Sequence, residues 1–261
     1  FGRLPPLFSN RRVISTEVDL AGTPPTTFGS LQNYIDFATQ WSWAFDFDGA
    51  ASKAQVADDS SIQNWFDGGG HIRMIVNIDT AGEGNVGTLM EKGKSANKGF
   101  ELACFDPSST GTKLKFTVQF DNTDGVWTTP ECLTFGQIHV VEVDYNNSSV
   151  SNNPTIEIDG SSVTITEATT PVGTRVSDSG EVLCFGGDSA VGSVMDGKIY
   201  EVGVYGASGI TDAIDRPLRN SESNLISYWP LIEGSGTAIY DYNPSRNNHA
   251  TITAGSGAWY I

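Results

Sequence analysis

Two pairs of acidic residues stand two positions apart in runs that alternate polar and apolar side chains: Glu142 and Asp144 in VVEVDYNN, and Asp46 and Asp48 in FDFDG. Side chains at i and i+2 of an extended strand leave the same face. Each pair therefore offers two neighbouring carboxyl groups, the equipment for general acid and nucleophile in glycoside hydrolysis. Any strand with one solvated face produces the same alternation, and neither run adds a third acid, so no residue is assigned as catalytic. The Gly68-Gly69-Gly70 run lacks the following Lys-Ser or Lys-Thr of a phosphate loop. Cys104, Cys132 and Cys184 are odd in number and show no CxxC spacing. That reads as buried free thiols, or one bridge and a free thiol, rather than a zinc site.

Strands must position these groups. The chain has 261 residues, 38% apolar and only 18% charged, with 29 glycines, a composition of many short strands joined by turns. Period-two runs recur at 12–20, 42–49, 71–79, 99–105, 113–120, 137–145, 155–160, 162–166, 181–187, 198–206, 224–231 and 249–254. Turn clusters such as DGGG, DTAGEG and NNSSVSNNP separate them. The pattern predicts one antiparallel sandwich. QIHVVEVDY is apolar on both faces, as a central strand would be, and Asp159-Gly160 suits a primed hairpin turn. Trp43, Phe47 and Trp229 are the large residues expected between the sheets. Short helices are expected at 60–66, capped by Ser60 or Ser61, and at 211–218. Residues 1–34 carry Pro5-Pro6, Pro24-Pro25 and the basic Arg3, Arg11 and Arg12, and read as an extended arm or linker before a single domain at 35–261. A net charge of −16 argues against nucleic-acid binding through a basic patch, and no apolar run is long enough to span a membrane.

Four stretches together resemble the laminin G-like form of the concanavalin A-like lectin/glucanase jelly roll. FDFDGAASKAQVADDSSI (45–62) resembles its FDG strand, and GQIHVVEVDYNNSSVSNNPTIEIDG (136–160) its central hairpin. MDGKIYEVGVYGASGITDAIDRPL (195–218) resembles its strand followed by a short helix, and YWPLIEGSGTAIYDYNPSRNNHATI (228–252) is similar to its YWPL signature. The resemblance covers residues 35–261 and implies an all-β, two-sheet antiparallel jelly-roll sandwich. In many such proteins the YWPL strand precedes the FDG strand. Here it comes last, an order that a jelly roll with neighbouring termini accommodates.

The resemblance also implies chemistry. Such domains often carry a structural calcium held by carboxylate and carbonyl oxygens. The matching positions are Asp48, Glu201, Glu233 and Asp241, with Tyr200 standing where the family has another acid. Glycan recognition is implied through aromatic rings on loops, for which Trp65, Trp127 and Tyr145 are the candidates. DNTDGVWTT (121–129) is the most site-like, because Trp127 lies beside Asp124, Gly125 and Thr128. QIH (137–139) and YEVGVY (200–205) are similar to stretches of alginate lyases, although Glu201 and Ala207 replace that family's Lys and Gln. The expectation is a non-catalytic lectin-like module binding surface polysaccharide, placed outside the cell, on a cell surface or on a virion. Two alternatives stand beside it: a structural decoration or fibre protein docked onto a larger assembly through residues 1–30, and a polysaccharide-degrading hydrolase or lyase.

Overall fold

The computed structural model describes residues 43–190, 192–206, 224–253 and 255–260. The arm at 1–34, the strand at 12–20 and the helix at 211–218 fall outside the described residues. Within them the chain forms β1 (Ala44–Asp48), β2 (Lys53–Val56), β3 (Gly70–Thr80), β4 (Thr88–Lys92), β5 (Phe100–Phe105) and β6 (Gly111–Val118). Next come β7 (Gly125–Thr128), β8 (Leu133–Thr134), β9 (Ile138–Tyr145), β10 (Thr155–Ile158), β11 (Ser161–Val163) and β12 (Thr166–Thr169). The last are β13 (Leu183–Phe185), β14 (Asp196–Tyr205), β15 (Leu225–Trp229), β16 (Ala238–Ile239), β17 (Ala250–Thr253) and β18 (Ala258–Tyr260).

The strands build two antiparallel sheets. One runs β11-β10-β9-β3-β14-β1-β18, with β15 also paired to β14; the other runs β12-β7-β6-β5-β4-β13-β2-β17-β16, with β8 on β6. Alternation decides which residues meet between them. From β3, Ile72, Met74, Val76 and Ile78 enter the main core, as do Val141, Val143 and Tyr145 from β9, and they face Leu102, Cys104, Leu114 and Phe116 of the other sheet. Phe47 and Trp229 are buried there as expected. Trp43 is not: it is 36% exposed, and its ring lies across Gly234 in the loop after β15.

Local chemistry explains where elements begin and stop. Ile158 pairs with Ser161, leaving Asp159 (φ 52°) and Gly160 (φ 72°) as the two-residue turn between β10 and β11. Both positive angles belong to the primed hairpin turn that Asp-Gly favours. The helix expected at 60–66 is a single 3-10 turn at Ser60–Ile62, capped by Asp59, whose side chain accepts from the Ser61 N–H. It cannot lengthen, because Asn64 adopts φ 53° and the next two residues turn into the core. The C-terminal β18 pairs with β1, Ala44 opposite Tyr260, so the two ends of the described sandwich are neighbours. All three cysteines are free thiols, Cys104 and Cys184 fully buried. Among the described residues no helix is long and apolar enough to cross a membrane.

Packing is tight where β1 crosses the second sheet. A Cβ on Gly186, which has φ +75°, would sit 2.2 Å from the Phe47 ring. Gly186→Ala is expected to cost about 2–3 kcal/mol through overpacking, read as a lowered urea midpoint with an unchanged slope.

Candidate functional site

The aromatic residues expected to touch sugar instead fill the core. Trp127 is fully buried, with its ring centroid 5.2 Å from that of Tyr145 and 6.1 Å from that of Phe116. Tyr145 also meets Phe66 at 5.9 Å, and Trp65 stacks edge-on to Phe100 at 5.0 Å. The reason is register: Phe116 stands opposite Trp127 in the β6–β7 pair, so both rings take the inward face. Asp124 is likewise spent locally, accepting from the Phe120 N–H at 3.1 Å to close its own loop. These four residues therefore present no sugar-binding surface.

Directly above this cluster the ends of several strands form a cleft of about 400 Å³ lined by Asp67, Gly68, Phe120, Ser148, Val150 and Arg175, together with Asn147, Ser149, Gly173 and Thr174. Gly70 of β3 pairs with Tyr145 of β9, which brings the loops at 66–69 and 146–153 side by side. The Trp127 indole N–H donates to Asn153 Oδ1 at 2.7 Å and ties the second loop to the core. The third wall comes from bridges between Phe120 and Arg175 and between Thr123 and Val172. Gly173 (φ +102°) is obligatory in that wall, because a Cβ would fall 2.0 Å from Asp121 Oδ1, the acceptor of the Thr174 N–H.

The polar lining is uneven. Arg175 is fully engaged on one side: Nε reaches Asp67 Oδ1 at 2.7 Å and Nη2 donates to Asp67 Oδ2 at 2.7 Å. Its Nη1 donates to Asn64 Oδ1 at 2.7 Å and to the Val176 carbonyl at 2.9 Å. Asn147, by contrast, is 8% exposed and its Nδ2 has no hydrogen-bond partner. A buried amide N–H without a partner costs roughly 1–3 kcal/mol, and the Trp65 indole and Tyr145 hydroxyl are likewise buried without partners. Sequence reading passed over Asp67 and Arg175 and noted Asn147 only as a possible glycosylation acceptor, its run read as a long hairpin connection. The turn clusters DGGG and NNSSVSNNP did mark two of the walls, but nothing local marks Arg175, which only the long-range bridge brings in.

The paired carboxylates have another fate. Glu142 and Asp144 do share a face of β9, directed away from the main core, where His71 lies between them. Its Nε2 is 3.5 Å from Glu142 and its Nδ1 3.1 Å from Asp144, both off the hydrogen-bonding axis. Arg73 Nε is 3.8 Å from Glu142, while its Nη1 donates to Glu201, which also accepts from the Tyr228 hydroxyl at 3.0 Å. Glu142 and Glu201 are buried in this ion-pair lattice across β9, β3 and β14. Burial works against a charged His71 ring, yet the Asp144 and Glu142 carboxylates outweigh it and hold its pKa above the ordinary 6.5. His139 is structural: it accepts from the Thr134 N–H and pairs with Asp159 at 2.8 Å.

The positions matched to a calcium site do not assemble. Asp48 accepts from the Ala50, Ala51 and Ser52 N–H groups through one oxygen and from Ser256 through the other. Burial opposes its charge, but those donors hold its pKa far below the carboxylate range. Asp241 accepts from Tyr228, Asn243 and Asn248 N–H groups, and Glu233 from Tyr240. Glu233 keeps its other oxygen, Oε2, buried without a partner, and among the described residues no three Asp, Glu, His or Cys side chains converge.

No protein-family profile matches the chain, and no curated protein matches it in sequence. Solved structures do. A candidate carbohydrate-binding protein from Bacteroides ovatus is 12% identical with a TM-score of 0.57, covering 84% of this chain and 59% of its own. This chain therefore spans less than two thirds of that protein. A SAP-like pentraxin from Limulus polyphemus is 13% identical, TM-score 0.49, over 70% of this chain and 85% of its own. Domains LG4-5 of the mouse laminin alpha1 chain are 16% identical, TM-score 0.44, over 75% and 50%. The likeness to the Bacteroides ovatus protein and the two antiparallel sheets show the fold, a concanavalin A-like jelly roll, and the fold alone.

Two outcomes follow from the burial. Trp127→Ala is expected to destabilise the fold by about 3–5 kcal/mol, measured by denaturant unfolding. Because the folded pKa of His71 is raised, its ion-pair contribution is fully present below 6.5 and lost as pH rises through the folded value. Melting temperature should fall as pH rises from 6.5 through that folded value, and the fall should shrink in His71→Gln.

Proposed function

We propose that the chain is a non-catalytic glycan-binding module, displayed outside the cell, whose ligand seats in the cleft above the aromatic cluster. The observation that carries this reading is the unpartnered, buried Asn147 Nδ2 on a cleft whose other side chains are the hydroxyls of Ser148, Ser149 and Thr174, the apolar Phe120 and Val150, and the paired Asp67 and Arg175. A saccharide presents ring oxygens and hydroxyls that accept from an amide and exchange hydrogen bonds with Ser148, Ser149 and Thr174. Its C–H faces fit against Phe120 and the 37%-exposed Val150. The shared fold with a candidate carbohydrate-binding protein supports the same conclusion. The cleft is small and open, so affinity is expected between about 1 mM and 1 μM, or roughly −4 to −8 kcal/mol.

An oligosaccharide array probed with the folded protein tests the reading. Binding should appear, and Ser148→Trp, which fills the cleft from an exposed loop position, should abolish it without lowering the melting temperature. A folded protein that binds no saccharide, or a blocked variant that binds as well as wild type, would count against it.

A further inference from the structure

Resting on that reading, we infer that the cleft selects uncharged saccharides, with Asp67 accepting hydroxyl hydrogen bonds from the ligand and Arg175 serving only to position Asp67. The cleft holds one formal negative and one formal positive group among its lining residues, Asp67 and Arg175. They are bound to each other by two parallel contacts of 2.7 Å. A guanidinium recognises a ligand carboxylate or sulfate best through two parallel N–H groups. Arg175 has already given Nε and one Nη2 hydrogen to Asp67, and both Nη1 hydrogens to Asn64 and the Val176 carbonyl. One Nη2 hydrogen remains, too little for bidentate capture of an anion.

Asp67 is in the opposite position. Each carboxylate oxygen accepts one hydrogen bond from Arg175 and keeps a second lone-pair direction, and its side chain is 52% exposed. A pair of adjacent sugar hydroxyls can donate to those directions while a ring or hydroxyl oxygen accepts from Asn147 Nδ2. An acidic sugar would instead bring its anion against the Asp67 carboxylate. The chain's net charge of −16 adds a longer-range repulsion, screened beyond roughly 8–10 Å at physiological salt. Charge pairing inside the cleft and charge around it therefore point to the same ligand class.

The experiment compares two panels on the full chain: neutral oligosaccharides (glucans, mannans, galactans) and acidic ones (uronate, sialylated and sulfated). Wild type is expected to bind members of the neutral panel at least tenfold more tightly than the acidic panel. Asp67→Asn keeps the shape but releases the Arg175 charge, so neutral binding should fall about tenfold while acidic binding rises. Thermal melting of Asp67→Asn reports whether it folds. Should it not, Arg175→Lys, which cannot make the two parallel contacts, should likewise lower neutral binding. Wild-type preference for the acidic panel would overturn this inference and leave glycan binding standing. Neutral binding indifferent to folded Asp67→Asn, or to Arg175→Lys where that variant is the one used, would also overturn it, and binding to neither panel would overturn both readings.

Discussion

The contact on which the rest of this molecule depends is the meeting of rings between its two sheets. Phe116 and Trp127 reach inward from one sheet and Tyr145 from the other, with Phe66, Phe100 and Trp65 closing the group. Each ring of this size buries about 150–250 Å², which at about 25 cal/mol per Å² corresponds to roughly 4–6 kcal/mol as an upper bound. Among the described residues no other end of the sandwich gathers as many rings, and the loops that leave the sheets here rest on them. Asn153 shows how: its side chain accepts from the Trp127 indole, so a loop rich in Asn and Ser is anchored to a fully buried ring beneath it.

On that footing, the polar side chains divide into two kinds. Asp121, Asp124, Asn64 and Asp178 spend their oxygens on backbone N–H groups of neighbouring turns and so fix the walls. Asn147 spends its backbone N–H on the Phe66 carbonyl, yet its side-chain N–H groups find nothing. A turn residue needed only for structure would bond its own loop, as Asn146 does with the Ser148 N–H. The two adjacent asparagines therefore differ in how their side chains are satisfied.

Much of the fold was legible in the sequence, because period-two alternation and turn residues are local signals. The runs at 71–79, 137–145 and 198–206 became β3, β9 and β14, and Asp159-Gly160 became the hairpin turn it resembles. β2 (KAQV) and β4 (TLMEK) were not read as strands: Lys53, Lys92 and Glu91 are buried through bonds to partners distant in sequence, which no window reveals. The site was legible only in outline. Ring type singled out Trp65, Trp127 and Tyr145, but exposure is set by which face a strand register assigns, and all three face inward. The structure places them in the packed core beneath the cleft. Asp67 and Arg175 lie 108 positions apart and meet through one isolated bridge, so no reading of spacing could pair them.

The order of strands also acquires a physical meaning. β18 pairs with β1, and β1 pairs with β14 near Asp196, which lies opposite Thr80 at the far end of β3. The cleft begins at Gly70, the other end of the same strand. Eleven residues of strand at about 3.3 Å each separate the two by roughly 30 Å. The Asp48 turn, whose carboxylate gathers donors from both β1 and the segment before β18, fastens that far edge. The first and last described strand residues, Ala44 and Tyr260, pair with each other on the β1–β18 edge, level with Val76 near the middle of β3. Placing the YWPL strand late in the chain is compatible with that arrangement, since β15 still joins β14 in the same sheet and only the connection between elements has changed.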